Sequence, residues 1–296
     1  MTTPPPKPQY STPEEAARIY LLPNLFTAGN MLCGFLAIKN CIEARFTTLS
    51  AEGRAEHYNM AVWFILFACI CDLFDGRVAR ATKRESLFGA EFDSIADTVS
   101  FGVAPALMAC FLVIKPEATD NVQLVTWLLA FIYLLCAGVR LARFNVLTNP
   151  LVPGNEKRAA GGDFVGLPSP AAAGMIASLV LVLSKIMEAK DQKPFEEAVQ
   201  AWSWSLLPLM LIISFLMVSN VRFPSFKKVD WSAQAKARGF ILIIVIVAVV
   251  LWRPQYSFPA IFLGYISYSI FRHIFLLKKS EMDPAPDDDD EPVSKV

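Results

Sequence analysis

The chain has 296 residues, 54% of them hydrophobic, with only 18% charged and a mean hydropathy of +0.43. That is too apolar for an ordinary soluble domain and too long for one or two spans, so the expected fold class is an all-α, polytopic transmembrane helical bundle. The 27 basic and 27 acidic side chains cancel, and neither the charge balance nor any motif points to nucleic acid as a partner.

Residues 1–21 are polar and carry Pro4, Pro5, Pro6 and Pro8. They lack the basic start, apolar core and small-residue cleavage site of a signal peptide. Thr12-Pro13-Glu14-Glu15 reads as a capping box with proline at the first helical position, which predicts a short interfacial helix to Leu22. About eight apolar segments near the ~20 residues needed to cross a bilayer follow. They are 23–41, 59–81, 93–114, 123–145, 168–188, 203–220, 238–253 and 256–275. The expected organisation is a cytoplasmic N-terminal segment (1–21), a six-helix core (22–228), a two-helix membrane extension (229–277) and an acidic cytoplasmic tail (278–296). With the N-terminus inside, most of the 27 Lys and Arg fall on the cytoplasmic side, among them Arg77, Arg80, Arg140, Arg143, Lys227 and Lys278. The positive-inside rule therefore predicts both termini in the cytoplasm.

Six cysteines lie mostly inside apolar runs without zinc spacing and read as small buried hydrophobes. The two histidines are far apart in sequence, with no carboxylate motif beside them.

The carboxylates are the exception to an apolar pattern. Asp72 and Asp75 sit near the cytoplasmic end of the second apolar run, and Asp93 and Asp97 at the start of the third. A charge inside a membrane helix costs at least ~2.5 kcal/mol on insertion scales, so four together need compensation. At ~100° per residue, Asp72, Asp75, Gly76, Ala79 and Arg80 share a stripe about 140° wide, and Gly89, Asp93 and Asp97 form a second stripe. The short polar loop 82–88 makes the two helices antiparallel neighbours, so these stripes can face each other. Oxygen ligands of this kind suit a hard divalent cation, Mg²⁺ or Mn²⁺, and paired ions are a known device for phosphoryl chemistry. Gly76 and Gly89 leave room for a phosphate or nucleotide near the backbone, and Arg80 supplies a planar cation. The plain alternative is Asp–Arg pairing, and the sharper rival is an ion pathway. Clustering at one membrane face favours the metal site.

As a string, Asp72-x2-Asp75-Gly76-x2-Ala79-Arg80-x8-Gly89-x3-Asp93-x3-Asp97 resembles the signature of the CDP-alcohol phosphotransferases at every specified position. The resemblance implies that 22–228 is a catalytic membrane domain with two Mg²⁺ or Mn²⁺ ions, one on Asp72, Asp75 and Asp93 and the other on Asp72, Asp93 and Asp97. It also implies that Asp97 accepts the proton of the incoming hydroxyl, while Gly76, Ala79, Arg80, Ser86 and Gly89 meet the CDP-lipid. Looser motifs resemble the membrane-integral phosphatidylserine synthases within that family. Pro23-Asn24-Leu25-Phe26-Thr27-Ala28-Gly29-Asn30 resembles their first-span motif, whose Asn and Thr (here Asn24 and Thr27) face the nucleotide. Arg140-Leu141-Ala142-Arg143-Phe144-Asn145 resembles the segment for serine recognition. Phe164–Pro170 and Ser219–Pro224 resemble two further stretches of that branch. Arg143 is the expected anchor for the serine carboxylate and Asn145 an added hydrogen bond, with Arg140 and Phe144 beside them.

The resemblance thus implies CDP-diacylglycerol and L-serine as substrates, phosphatidylserine and CMP as products, a multi-pass protein of the inner membrane with a cytoplasm-facing site, and a homodimer. Another acceptor (glycerol 3-phosphate, choline or an inositol phosphate) and a non-enzymatic transporter are the competing readings. The last two spans read as scaffold.

Overall fold

The computed structural model describes residues 20–46, 51–82, 86–114, 120–148, 164–188, 204–224, 250 and 252–282. The expected interfacial helix before Leu21, most of the seventh apolar segment and the acidic tail beyond residue 282 lie outside the described residues; residues 278–282, expected in that tail, continue the last helix.

Eight α-helices make up the described bundle: α1 (Leu21–Phe46), α2 (Ala51–Thr82), α3 (Leu87–Asp97), α4 (Ala104–Val113), α5 (Asp120–Thr148), α6 (Ser169–Glu188), α7 (Leu206–Val218) and α8 (Pro254–Met282). A π-helical segment, Thr98–Val103, joins α3 to α4 without a break. Among the described residues three stretches are long and apolar enough to cross a membrane: Leu21–Phe46, Leu87–Val113 and Asp120–Leu147; α6 and α7 supply shorter apolar helices. The expectation of an all-α chain needs one amendment. Phe164–Val165 (β1) pairs antiparallel with Arg222–Phe223 (β2).

The helices are apolar on the outside. On α1 the buried face is small or polar (Thr27, Asn30, Gly34, Ala37, Cys41), while Leu25, Leu32 and Phe35 are exposed. On α5 Thr126, Ala130, Tyr133 and Ala137 are buried, and Leu124, Leu128, Phe131 and Leu135 are exposed. Burying large apolar groups gains nothing against lipid, so membrane helices pack through small residues and backbone approach. Gly34 illustrates this: a Cβ there would lie 2.7 Å from the Cα of Ser100.

The π-helical segment has an identifiable cause. Pro105 has no N–H, so Phe101 O, four residues earlier, loses its ordinary helical donor. Tyr133 Oη on α5 donates to that carbonyl at 2.9 Å. A freed carbonyl at membrane depth must find a partner, and a neighbouring helix supplies it.

The β1–β2 pair joins two segments that were separate motifs in the sequence. Gly166 N donates to Val221 O (2.9 Å) and Leu167 N to Leu216 O (3.0 Å). Gly166 has φ 81°, and a Cβ would collide with Met217 O and lie 3.1 Å from Met217 C. A Gly166→Ala substitution is therefore expected to cost about 2–3 kcal/mol, from the left-handed backbone plus the clash. That corresponds to a melting temperature lower by roughly 3–5 °C for a chain of this size, measurable by thermal unfolding in detergent.

Candidate active site

All elements of the site meet at one end of the bundle, where α1 begins, α2 ends, α3 begins, α5 ends and α6 begins. The antiparallel α1–α2 pair brings the first turns of α1 against the last turns of α2. Ser86 caps α3, its hydroxyl accepting from Gly89 N at 3.1 Å.

One carboxylate oxygen from each of Asp72, Asp75 and Asp93 lies within 4.8 Å of the others. The sequence expectation that the two acidic stripes face each other is met for these three. Asp97, one turn beyond Asp93, is 6% exposed and stands outside that group, within electrostatic reach of Asp72 and Asp93. Asp93 Oδ1 is buried with no hydrogen-bond partner. A buried, unpartnered carboxylate oxygen beside two further carboxylates is costly on its own and is relieved by a cation. The donor set is all oxygen, which fits a hard divalent ion.

Second-layer contacts come from α1. Thr27 Oγ1 donates to Asp75 Oδ2 (3.1 Å), and Asn30 Nδ2 to Asp97 Oδ1 (2.9 Å). The expected nucleotide contact Thr27 is thus placed against a carboxylate. Asn24 Nδ2 is a buried donor without a partner, and its Oδ1 lies 3.5 Å from where a Cβ on Gly89 would stand. Asn24, Ser86 and Gly89 therefore form one small polar corner. Gly76 follows Asp75 on α2 and is half-buried. Ala79 and Arg80 occupy the last turns of α2, and their side chains lie outside the described residues.

The Arg140–Asn145 segment is divided by the structure. Arg140 is 8% exposed, donates from Nη1 to Ser169 Oγ (2.6 Å) and stacks 5.8 Å from the centre of the Phe144 ring. Its Nε is buried without a partner, and it lies within electrostatic reach of Asp97 and Asp72. Arg143, the expected carboxylate anchor, instead donates to Asn220 Oδ1 (2.8 Å) and Val218 O (3.3 Å) at the end of α7. Three residues on a helix turn through about 300°, which moves Arg143 off the inward face that Tyr133, Ala137 and Arg140 define. Asn145 Nδ2 donates to Ser94 Oγ (2.8 Å), next to Asp93. Phe144 packs on Phe164, ring centres 6.1 Å apart.

Sequence reasoning gave no individual role to Asn30, Ser94 or Ser169, although Asn30 and Ser169 lie inside two of the quoted motifs. Asn30 could have been found: Asn24, Thr27 and Asn30 recur every third residue on a helix whose other face is apolar.

Residues 20–209 match the CDP-alcohol phosphatidyltransferase family. The chain belongs to that family. Its relatives include the CDP-diacylglycerol–serine O-phosphatidyltransferase of Helicobacter pylori, 35% identical over 264 residues, covering 88% of this chain and 94% of that protein. The protein of the same name from Bacillus subtilis is 30% identical over 212 residues, covering 70% of this chain and 92% of its own. The corresponding yeast protein, from Saccharomyces cerevisiae, is 37% identical over 156 residues, about half of each chain. Members of the CDP-alcohol phosphatidyltransferase family generally use divalent metal ions, in keeping with the acidic group on α2 and α3. With its long apolar helices, this member is an integral membrane protein.

Proposed function

We propose that the chain transfers the phosphatidyl group of CDP-diacylglycerol to the hydroxyl of L-serine, giving phosphatidylserine and CMP. The observation that carries this reading is the buried Arg140 beside the Asp72–Asp75–Asp93 group, in a chain whose relatives bear the name of that activity. Two Mg²⁺ or Mn²⁺ ions, on Asp72, Asp75, Asp93 and Asp97, would neutralise the pyrophosphate and stabilise the oxygens of attack and departure. Asn24 Nδ2, Ser86, Gly76, Gly89, Ala79 and Arg80 bind and orient the CDP-lipid. Asp97 takes the proton from the serine hydroxyl as that oxygen bonds to the lipid-side phosphorus. The phosphoanhydride bond breaks, and its electron pair leaves with CMP. Among the described residues no histidine is bonded to a serine or cysteine near the acids to activate it as a nucleophile, and attack is taken as direct.

The acceptor's carboxylate is assigned to Arg140, with Ser169 and the start of α6 beside it. Arg140 is desolvated and has an unspent donor, whereas Arg143 serves the end of α7. The lysine and arginine distribution supports both ends lying inside; with about eight crossings of an inner membrane, the site would open to the cytoplasm, where serine enters and CMP leaves.

The test is CMP release by purified protein given CDP-diacylglycerol and a panel of alcohols. Serine is the expected acceptor; preference for glycerol 3-phosphate or choline overturns the assignment. Arg140→Ala should raise the serine KM by roughly 10- to 100-fold, the worth of one or two charge-assisted hydrogen bonds. The KM for CDP-diacylglycerol should stay within about threefold of its original value, as should both constants in Arg143→Ala.

A further inference from the structure

We propose that Asn30 is a positioning residue for Asp97, holding one carboxylate oxygen so that the other faces the acceptor hydroxyl. The inference rests on the reading of Asp97 as proton acceptor. Asp97 is the last residue of α3, where the regular helix passes into the π-helical segment. The backbone there is still regular αR (φ −62°, ψ −39°), which fixes where the side chain leaves the helix and leaves its terminal carboxylate to be oriented by its neighbours.

Asn30 does this from α1. It is fully buried, and Nδ2 donates to Asp97 Oδ1 at 2.9 Å. A carboxylate only accepts, so the orientation of the amide is settled by its partner. Among the described residues no donor is bonded to Asp97 Oδ2, which leaves that oxygen for the cation and the acceptor hydroxyl of the proposed reaction. The same residue is clipped a second time. Ser100 Oγ, in the π-helical segment, donates to Asn30 O at 2.8 Å. Both bonds depend on the close approach of α1 at Gly34, where a Cβ would collide with Ser100.

Asn30 also carries a cost that packing does not explain. Its Oδ1 is buried with no partner. In an apolar helix a Leu of similar size would avoid that cost. A residue that is locally unfavourable and directed at a reacting group is the pattern of a stability–activity trade-off.

The experiment compares Asn30→Leu and Asn30→Ala with the unsubstituted protein, measuring kcat, both KM values and the melting temperature in detergent. The expected result for Asn30→Leu is a kcat about 10- to 100-fold lower, the size of effect that follows from loss of alignment. Both KM values should stay within about twofold, and the melting temperature reports only the balance between relief of the unpartnered Asn30 Oδ1 and the donor that Asp97 Oδ1 loses. Asn30→Ala should show the same kcat loss, whatever its stability. A kcat within twofold of the original in a folded variant overturns the proposal. So does a loss of activity that appears only in KM. Should another alcohol prove to be the acceptor, the same kcat loss on that alcohol still supports the role of Asn30. Full activity in Asp97→Asn would instead sink the reading beneath it.

Discussion

Asp97→Asn is expected to lower the rate of CMP release by about a thousandfold or more, while CDP-diacylglycerol still binds within a few-fold of its original affinity. A positioned general base contributes typically ~10²–10⁴ in rate. The exchange is nearly isosteric. The new amide retains a carbonyl oxygen for Asn30 Nδ2, so the local geometry of the α3–π junction survives. What is lost is the ability to take a proton. Initial rates with saturating serine, together with a direct binding measurement on the CDP-lipid, separate the two effects. A rate within tenfold of the original, with normal binding, removes Asp97 from the chemistry.

Divalent-cation removal is expected to have a comparable effect. Chelation should reduce turnover to background, and Mg²⁺ or Mn²⁺ should restore it. The reason lies in the spacing of Asp72, Asp75 and Asp93, whose oxygens lie within 4.8 Å of one another. Two carboxylates at that range repel by roughly 3–4 kcal/mol at an effective dielectric near 20. The unpartnered Asp93 Oδ1 adds a desolvated acceptor. Chelated protein should therefore also melt at a lower temperature than protein saturated with Mn²⁺, since a cation that binds the folded state stabilises it. Turnover that persists through exhaustive chelation would remove the basis of the site, because the acids would then be serving only basic neighbours.

The helix that follows the family match bears on how much of the chain the site needs. The match ends at residue 209, yet α8 packs tightly into the bundle. Phe262 fills the space that a side chain at Gly174 would take, and Tyr265 lies 5.7 Å, ring to ring, from Phe223 on β2 while donating to Pro224 O at 3.4 Å. The extension that read as scaffold is therefore joined to the same β1–β2 segment that leads into Ser169 and, through it, to Arg140.

The sequence by itself determined the class of fold, the acidic group and the family. Those depend on local quantities: run length against bilayer thickness, the charge carried by an apolar helix, and the angular spacing of Asp72, Asp75, Asp93 and Asp97 along two adjacent helices. The short link between those helices left little freedom in how they meet. Tertiary structure alone decided that Arg140 and not Arg143 turns toward the aspartates, that Thr27 and Asn30 are tied to carboxylates, and that Phe164–Pro170 and Ser219–Pro224 are halves of one unit. Each of these is set by the rotation and depth of one helix against another, and helical periodicity says which residues share a face without saying which neighbour that face meets. Pro105 marks the limit between the two. Its missing N–H is written in the chain, but the Tyr133 hydroxyl that answers the freed carbonyl comes from a helix 28 positions further on.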